Sequence, residues 1–317
     1  MNEKTIFENF ALTPTGYADF DGRENEVISQ IIASAPTLAD LIPQIGIKAG
    51  SSTNLNILRT DVTWSSADCV STETGDNTTL KPRNISVVRL SDRELMCLDT
   101  LDAKIPQLQK AGALNTELTF SDAFINLKVK QNAKQLEKLS WLGNVATGTG
   151  NLALTDGFIA IAESETADLA FYATQDAPTL GTIVDDVRVA LNNRTDEMYE
   201  MGATLYMSSA NAAMLSQALV DLNLFNYGQV SENENGILSF TFPGTNVKIK
   251  GTYGLAGSVA FFMTLDGNLR MGTDMENDKE NVELFYDKYH KQMVSDIVFA
   301  AGFQYEFAEQ VVYIGAV

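Results

Sequence analysis

Residues 118–142, LTFSDAFINLKVKQNAKQLEKLSWL, are the stretch of the chain that decides its fold. Apolar side chains recur along it at helical spacing, at Phe120, Phe124, Leu127, Ala133, Leu136 and Leu139. Ser121 or Thr119 can cap the start of this helix, and Gly143 ends it. A helix of this length extends ~36 Å at ~1.5 Å per residue, which is long enough to cross a domain. We therefore predict a spine helix at residues 118–142.

The spine helix carries a row of three lysines, Lys130, Lys134 and Lys138. Positions four residues apart lie on the same face of a helix, so the three ammonium groups form one basic stripe. Such rows are common on solvated helix faces, and the spacing alone assigns them no function.

Upstream of the spine helix, residues 46–100 contain two polar strand-like runs on either side of the turn-forming segment 71–79, STETGDNTT. This pattern predicts a long β-hairpin, and a poorly ordered surface loop is the alternative. An isolated two-stranded hairpin is only marginally stable in water, so we expect it to lie against another surface. Before it come an extended arm at residues 1–23 and a short helical segment at 24–45, which prolines interrupt.

Downstream, the Gly/Thr-rich segment 144–151, NVATGTGN, is the best internal boundary of the chain. Beyond it the pattern predicts a helix at 179–193, a strand at Ala203–Met207 and a helix capped near Ser208 or Ser209. Strand-like runs follow at 237–242, 246–251, 258–264, 282–286, 296–307 and 310–315. Helices followed by a series of strands indicate the α+β class.

The chain of 317 residues is strongly acidic, with a formal net charge of −19. This charge argues against a sequence-reading nucleic-acid binder, which needs clustered Lys and Arg, and against polybasic attachment to lipid. No stretch approaches the ~20 apolar residues that span a bilayer, so we expect no membrane partner. The charge is uneven: residues 1–150 have 14 basic and 18 acidic side chains, a net −4, whereas residues 151–317 have 8 and 23, a net −15.

The residues that usually carry chemistry form no motif. The single histidine, His290, cannot supply both a catalytic pair and a two-histidine metal site, and no GxSxG or HExxH occurs. The acidic run 274–280, DMENDKE, has Lys279 where an EF-hand loop needs glycine. We therefore predict no enzyme, no cofactor and no metal site. Extended arms and long hairpins that have no surface of their own chain to pack against are instead typical of subunits that pack against a neighbouring subunit.

In the order of its elements, the chain resembles the tailed-phage major capsid proteins of the Hong Kong 97-type fold. The likeness is strongest in the helix exit LSWLGN at 139–144 and in GNLRMGTD at 267–274, with the strands that follow to Val317. It implies an α+β fold with an N-terminal arm, an extended β-hairpin loop, a long spine helix and a compact axial domain. The implied boundaries are 1–23 for the arm, 24–45 for a short helical segment, 46–100 for the loop, 101–150 for the peripheral domain, 151–270 for the axial domain, and 271–317 for C-terminal strands returning to the peripheral domain.

The resemblance also implies a function: a non-catalytic major capsid protein that self-assembles into an icosahedral shell around phage DNA. The implied partners are copies of itself as hexamers and pentamers, a portal, decoration proteins and DNA packaged without sequence preference. Because the chain starts with only a short arm, the scaffolding protein is expected to be separate, unless an upstream segment was cleaved or omitted. The implied location is the virion capsid, assembled in the cytoplasm of a bacterial host.

Two sets of basic residues follow from the resemblance as candidate contact sites. In that family the extended loop lies across an adjacent subunit, and the acidic second half would be its complement. The loop residues expected to supply the basic side of this contact are Arg59, Lys81, Arg83, Arg89 and Arg93. The row Lys130, Lys134 and Lys138 is expected to face the lumen and the packaged DNA.

Three other functions fit parts of the sequence. An encapsulin-like protein compartment would share the fold but enclose a protein cargo. Another virion component, such as a tail or decoration protein, would share the acidity and the strand-rich end. A hydrolase would need a pocket with perturbed acids around Asp266, Asp274 or Glu276.

Overall fold

A computed structural model describes the chain at residues 24–38, 41–60, 78–97, 120–222, 230–231, 238–274, 281–287, 289–290 and 292–316. The predicted N-terminal arm at 1–23 lies outside these residues, as do most of the predicted hairpin tip and the acidic residues 275–280. For Arg59 and Lys81 only the backbone is described.

The described residues form six α-helices, and the second of them, α2, is the predicted spine helix. They are α1 Glu24–Ser34, α2 Phe120–Leu142, α3 Phe158–Ser164, α4 Ile183–Asn192, α5 Asp196–Met201 and α6 Ser209–Asp221. The predicted cap of the last helix is confirmed, because the Ser208 hydroxyl accepts a hydrogen bond from the Asn211 N–H at 3.2 Å. Across these ranges, none of the helices has the length and apolar character needed to cross a membrane.

The strands of the described residues fall into three sheets. In chain order they are β1 Ile42–Gln44, β2 Ser52–Thr60, β3 Thr78–Ser86, β4 Val88–Cys97, β5 Phe171–Gln175, β6 Ala203–Ser208, β7 Val230–Ser231, β8 Ser239–Thr241, β9 Val247–Thr252, β10 Phe261–Thr264, β11 Leu269–Gly272, β12 Asn281–Asp287, β13 Gln292–Tyr305 and β14 Val311–Ala316. β2 and β3 form a two-stranded antiparallel sheet, which we call the hairpin.

A five-stranded sheet, here called the peripheral sheet, is built around the long strand β13. Its order is β1-β11-β13-β12, and β4 also pairs with β13, antiparallel, along the whole length of β4. The spine helix lies over this sheet, where its Lys128 ammonium bonds Asp92 at 3.0 Å and Glu94 at 2.7 Å. Burial lowers the pKa of Lys128, but the hydrogen bonds to both carboxylates outweigh it and raise the pKa overall.

A seven-stranded sheet, here called the axial sheet, has the order β5-β14-β10-β6-β9-β8-β7. Helices α4 and α6 cover one face, in a core that includes Val187, Leu215 and Phe261. The other face meets the end of the spine helix. There Trp141 packs against Phe262 with ring centroids 5.5 Å apart, and against Phe158, Tyr206 and neighbouring aromatic rings. The sheet is therefore buried on both sides, by α4 and α6 on one face and by the end of the spine helix on the other.

The structure differs from the sequence expectation in several places. Strand β14, expected among the C-terminal strands of the peripheral domain, lies in the axial sheet between β5 and β10. Helix α4 starts at Ile183 rather than residue 179, because residues 179–182 form a turn in which the Thr182 hydroxyl accepts the Thr179 N–H at 3.0 Å. The elements α3 and β5 had no periodic signal long enough to be predicted. Strand β4 belongs to the peripheral sheet, so the separate hairpin inside the predicted 46–100 loop ends at Ser86.

Candidate subunit-contact site

The hairpin stands apart from the two larger sheets. Its register runs from Ser52 opposite Ser86 to Thr60 opposite Thr78, and no other described strand pairs with either of its edges. Side chains 52–54 are exposed, and Leu55 is buried. Nine paired residues on each strand extend from a small attachment, which is the geometry of an element that another surface must stabilise.

A small apolar cluster attaches the base of the hairpin to the subunit. Its buried members are Ile47, Leu55, Ile85, Val87 and Ala300. Two backbone hydrogen bonds reinforce it, from the Gly50 N–H to the Val87 carbonyl at 2.8 Å and from the Val87 N–H to the Ser51 carbonyl at 3.1 Å. The chain also needs glycine at position 302 of β13, because a Cβ there would overlap the carbonyl group of Ser86.

Arg83, a predicted contact residue, is held inside its own subunit. Its guanidinium forms an ion pair with Glu165, the residue that follows α3, and lies over the Tyr305 ring at 4.2 Å from the centroid. The Tyr305 hydroxyl donates to the same Glu165 carboxylate at 2.9 Å. The Gln304 amide adds a bond to the Asn84 carbonyl at 2.9 Å. The side chain of Arg83 therefore fixes the hairpin to α3 and β13, rather than lying on an exposed face.

The other predicted contact residues lie on two elements. Arg59 and Lys81 are on the hairpin by their backbone positions, opposite Thr79 and Ile57. Arg89 and Arg93 are on β4, where both side chains are exposed. The structure thus brings Arg83 to the hairpin base and leaves Arg89 and Arg93 on the exposed surface of the peripheral sheet. Their role in subunit contact stays a prediction.

The lysine row of the spine helix is largely solvent-facing. Lys130 and Lys134 are exposed and Lys138 is half-buried. None of the three forms an ion pair with another described residue, in contrast to Lys128 on the side of the helix that faces β4. The row is therefore accessible to a polyanion, and its contact with DNA stays a prediction.

The acidic second half presents its carboxylates to solvent. Among the described residues, the exposed acidic side chains of this half are Asp156, Glu163, Asp168, Asp176, Asp185, Asp196, Glu197, Glu200, Asp221 and Asp266. Few of them have a basic partner, one being Asp185, which bonds Arg188 at 2.8 Å. This surface can attract a basic element of another molecule and repel nucleic acid.

The residues considered for chemistry have structural partners. His290 lies in the exposed turn before β13, where its Nδ1 is 2.6 Å from Asp287, and this bond lowers the pKa of the aspartate. Asp274 is buried and accepts the Ala49 N–H at 2.9 Å. Asp266 accepts the Thr204 hydroxyl at 2.6 Å. Within the described ranges, no group of three or more His, Cys, Asp or Glu side chains is arranged to hold a metal ion.

Sequence reasoning missed the residues that anchor the hairpin, namely Glu165, Tyr305, Gln304 and Gly302. One signal was present: a glycine inside a predicted strand often marks the close approach of another backbone, and Gly302 interrupts the run 296–307. Glu165 and Tyr305 gave no signal in the sequence, because each lies at least 82 residues from Arg83 along the chain.

Comparison with solved structures finds chains of similar fold in phage capsids and related particles. No protein-family model and no curated protein matches the chain. Among solved structures, the satellite phage P4 procapsid with its size determination protein matches with a TM-score of 0.60 at 10% identity, covering 100% of this chain and 98% of that one. The capsid of the native GTA particle matches with a TM-score of 0.54 at 12% identity, covering 90% of each chain. Gordonia phage Cozz matches with a TM-score of 0.54 at 13% identity, covering 90% and 86%.

These matches define the class of the fold as that of capsid subunits. The chain has the α+β fold of phage capsid proteins over its whole length. The expected α+β fold is therefore confirmed, and it contains the predicted spine helix and hairpin.

Proposed function

We propose that this chain is a phage major capsid protein that self-assembles into an icosahedral shell enclosing DNA. The observation that carries the proposal is the hairpin, whose edges pair with no other described strand, in a chain whose fold matches a procapsid subunit from end to end. An element with so small an attachment needs a second surface. A neighbouring copy in a symmetric shell supplies that surface to every subunit at once.

The mechanism is assembly rather than catalysis. Each exposed ion pair between copies contributes only ~0–1 kcal/mol. A closed shell repeats every contact around each symmetry axis, so weak contacts become strong together. In this proposal Arg89 and Arg93, with the hairpin residues Arg59 and Lys81, meet the acidic surface of the next copy. Arg83 acts indirectly, because it sets the direction of the hairpin through Glu165.

The proposed partners follow from this role. Copies of the chain associate as hexamers and pentamers, a separate scaffolding protein guides them, and a portal and decoration proteins complete the virion capsid. Assembly takes place in the cytoplasm of a bacterial host. The packaged DNA lies inside without sequence-specific contact: the lysine row attracts its phosphates, and the acidic surface elsewhere prevents tight binding.

Electron microscopy of the purified full-length protein tests the proposal. The wild-type chain is expected to form closed shells, with or without added scaffolding protein. The double variant Arg89→Glu with Arg93→Glu should reduce the yield of shells at least about tenfold, because it turns attraction to the neighbour's acidic surface into repulsion. The matched variant Lys130→Glu with Lys134→Glu makes the same change of charge on the spine helix and should still assemble.

Other outcomes would contradict specific parts of the proposal. Wild-type protein that forms only rings or monomers under all conditions would reject the capsid function. Shells that contain protein cargo and exclude DNA would indicate a compartment of the encapsulin kind. Normal shells from the Arg89 and Arg93 variant would leave the capsid function intact and reject the electrostatic contact.

A further inference from the structure

A buried carboxylate with no cationic partner among the described residues lies where the spine helix meets the axial sheet. Glu137 of the spine helix is 0% exposed. In the described part of the chain, every group that bonds to its carboxylate is a neutral N–H or O–H. Burying an ionised carboxylate without a counter-charge is costly. The assembly mechanism makes no use of this residue, so its position needs another explanation.

The hydrogen bonds of Glu137 join three parts of the subunit. Its Oε2 accepts the Thr37 N–H at 3.1 Å, from the segment after α1. Its Oε1 accepts the hydroxyl of Thr37 and, at 2.6 Å, the hydroxyl of Thr252 at the end of β9. Each hydroxyl oxygen also accepts a bond of its own, Thr37 from the Trp141 indole N–H at 3.2 Å and Thr252 from the Gly254 N–H at 3.1 Å. The carboxylate is thus the common acceptor of this junction.

The electrostatic surroundings favour the neutral form of Glu137. Burial raises its pKa, and the hydrogen bonds from Thr252 and Thr37 offset only part of this effect. The titratable groups that face it are the phenols of Tyr206 on β6 and Tyr253 in the turn after β9. Burial is the main cause that raises the pKa of both, Tyr253 to about 12, with the Glu137 charge contributing. Both phenols therefore stay neutral where a carboxyl group titrates.

We propose that Glu137 is a proton-binding site that controls how firmly the axial sheet is attached to the spine helix. A proton on Oε1 lies between two hydroxyl groups, and a threonine hydroxyl can accept a hydrogen bond as well as donate one. A protonated Oε1 can therefore donate to one hydroxyl oxygen and still accept from the other hydroxyl, so the buried charge disappears while one threonine hydrogen turns to a new acceptor. The protonated junction is the stronger one. This inference concerns the single subunit and does not depend on whether shells form.

The direction of the pH effect follows from linkage. Because the pKa of Glu137 is higher in the folded chain than in the unfolded chain, folding takes up a proton between the two values. The stabilisation is complete below the ordinary carboxyl pKa and is lost as the pH rises through the raised pKa. In that window the unfolding equilibrium constant rises by up to about tenfold per pH unit.

The test compares urea unfolding of the full-length chain from about pH 4 to about pH 9 in three proteins: wild type, Glu137→Gln and Glu163→Gln. Glutamine can keep the Thr37 N–H bond through its oxygen and donate its amide N–H to a threonine hydroxyl oxygen, as the protonated carboxyl does. Glu137→Gln is expected to match wild type at acid pH and to become progressively more stable than wild type as the pH rises. Glu163→Gln removes an equal charge from an exposed side chain that accepts the Tyr313 hydroxyl at 2.9 Å, and should run parallel to wild type.

A local measurement separates this junction from the rest of the subunit. Amide exchange at residues 252–255, corrected for its intrinsic pH dependence, should show increasing protection in wild type as the pH falls, and a constant level in Glu137→Gln. Parallel pH profiles for wild type and Glu137→Gln would overturn the proposal. Failure of Glu137→Gln to fold at neutral pH would also overturn it, because the neutral side chain would then not be tolerated.

Discussion

The hairpin and the axial sheet are attached to the rest of the subunit in opposite ways. The axial sheet meets the spine helix through fully buried aromatic rings around Trp141 and through the Glu137 network. The hairpin is held by five buried apolar residues and by the contacts of Arg83. Extensive aromatic burial thus stabilises the junction, whereas the hairpin has only a small attachment and, in our proposal, gains stability from a neighbouring copy. Variants at the two sites should therefore fail differently.

The largest effect is expected from Trp141→Ala. This change removes a fully buried ring that contacts Phe158, Tyr206 and Phe262, and leaves a cavity between the spine helix and the axial sheet. The free energy of unfolding should fall by about 3–5 kcal/mol, measured by urea denaturation. Val145→Ala is the matched control, because Val145 is 56% exposed just after the same helix. Equal effects of the two variants would mean that the junction carries no special share of the stability.

A smaller, local effect is expected from Arg83→Gln. The variant loses the ion pair with Glu165 and the stacking on Tyr305, which together should contribute about 1–2 kcal/mol. Amide exchange should speed up in β2 and β3 and stay unchanged in the axial sheet. Arg188→Gln is the control, since its pair with Asp185 is exposed and should contribute less than about 0.5 kcal/mol. Faster exchange across the whole subunit would contradict a purely local anchor.

Local sequence signals predicted both the spine helix and the hairpin. Helical spacing of apolar residues and the terminal glycine predicted the spine helix, and the structure places it at Phe120–Leu142. Leu127 of the predicted stripe is nevertheless exposed, and Ile125 and Val129 are buried instead. The hairpin was readable from two polar strands around a turn. Both signals are local, because each pattern lies within the residues that form the element.

The sequence did not predict the tertiary contacts that position these elements. Arg83 meets Glu165 and Tyr305 only because β3, α3 and β13 converge in the fold, and no periodicity encodes that convergence. The same holds for β4, whose alternating pattern fits a hairpin arm as well as a strand of the peripheral sheet. Glu137 was hidden for a different reason: an acidic residue inside an acidic chain gives no sign of its burial, which depends on Thr37 and Thr252.

The central claim is that a neighbouring copy completes the hairpin, and amide hydrogen exchange in free and assembled protein tests it most directly. Exchange rates are measured in the hairpin, at residues 52–60 and 78–86, and in the axial strand at residues 203–208. Free and assembled protein are compared in the same buffer. The account predicts that assembly slows exchange in the hairpin at least about tenfold, which corresponds to ~1.4 kcal/mol of added protection, and leaves the buried strand unchanged. Equal exchange of the hairpin in free subunits and in closed shells would contradict it.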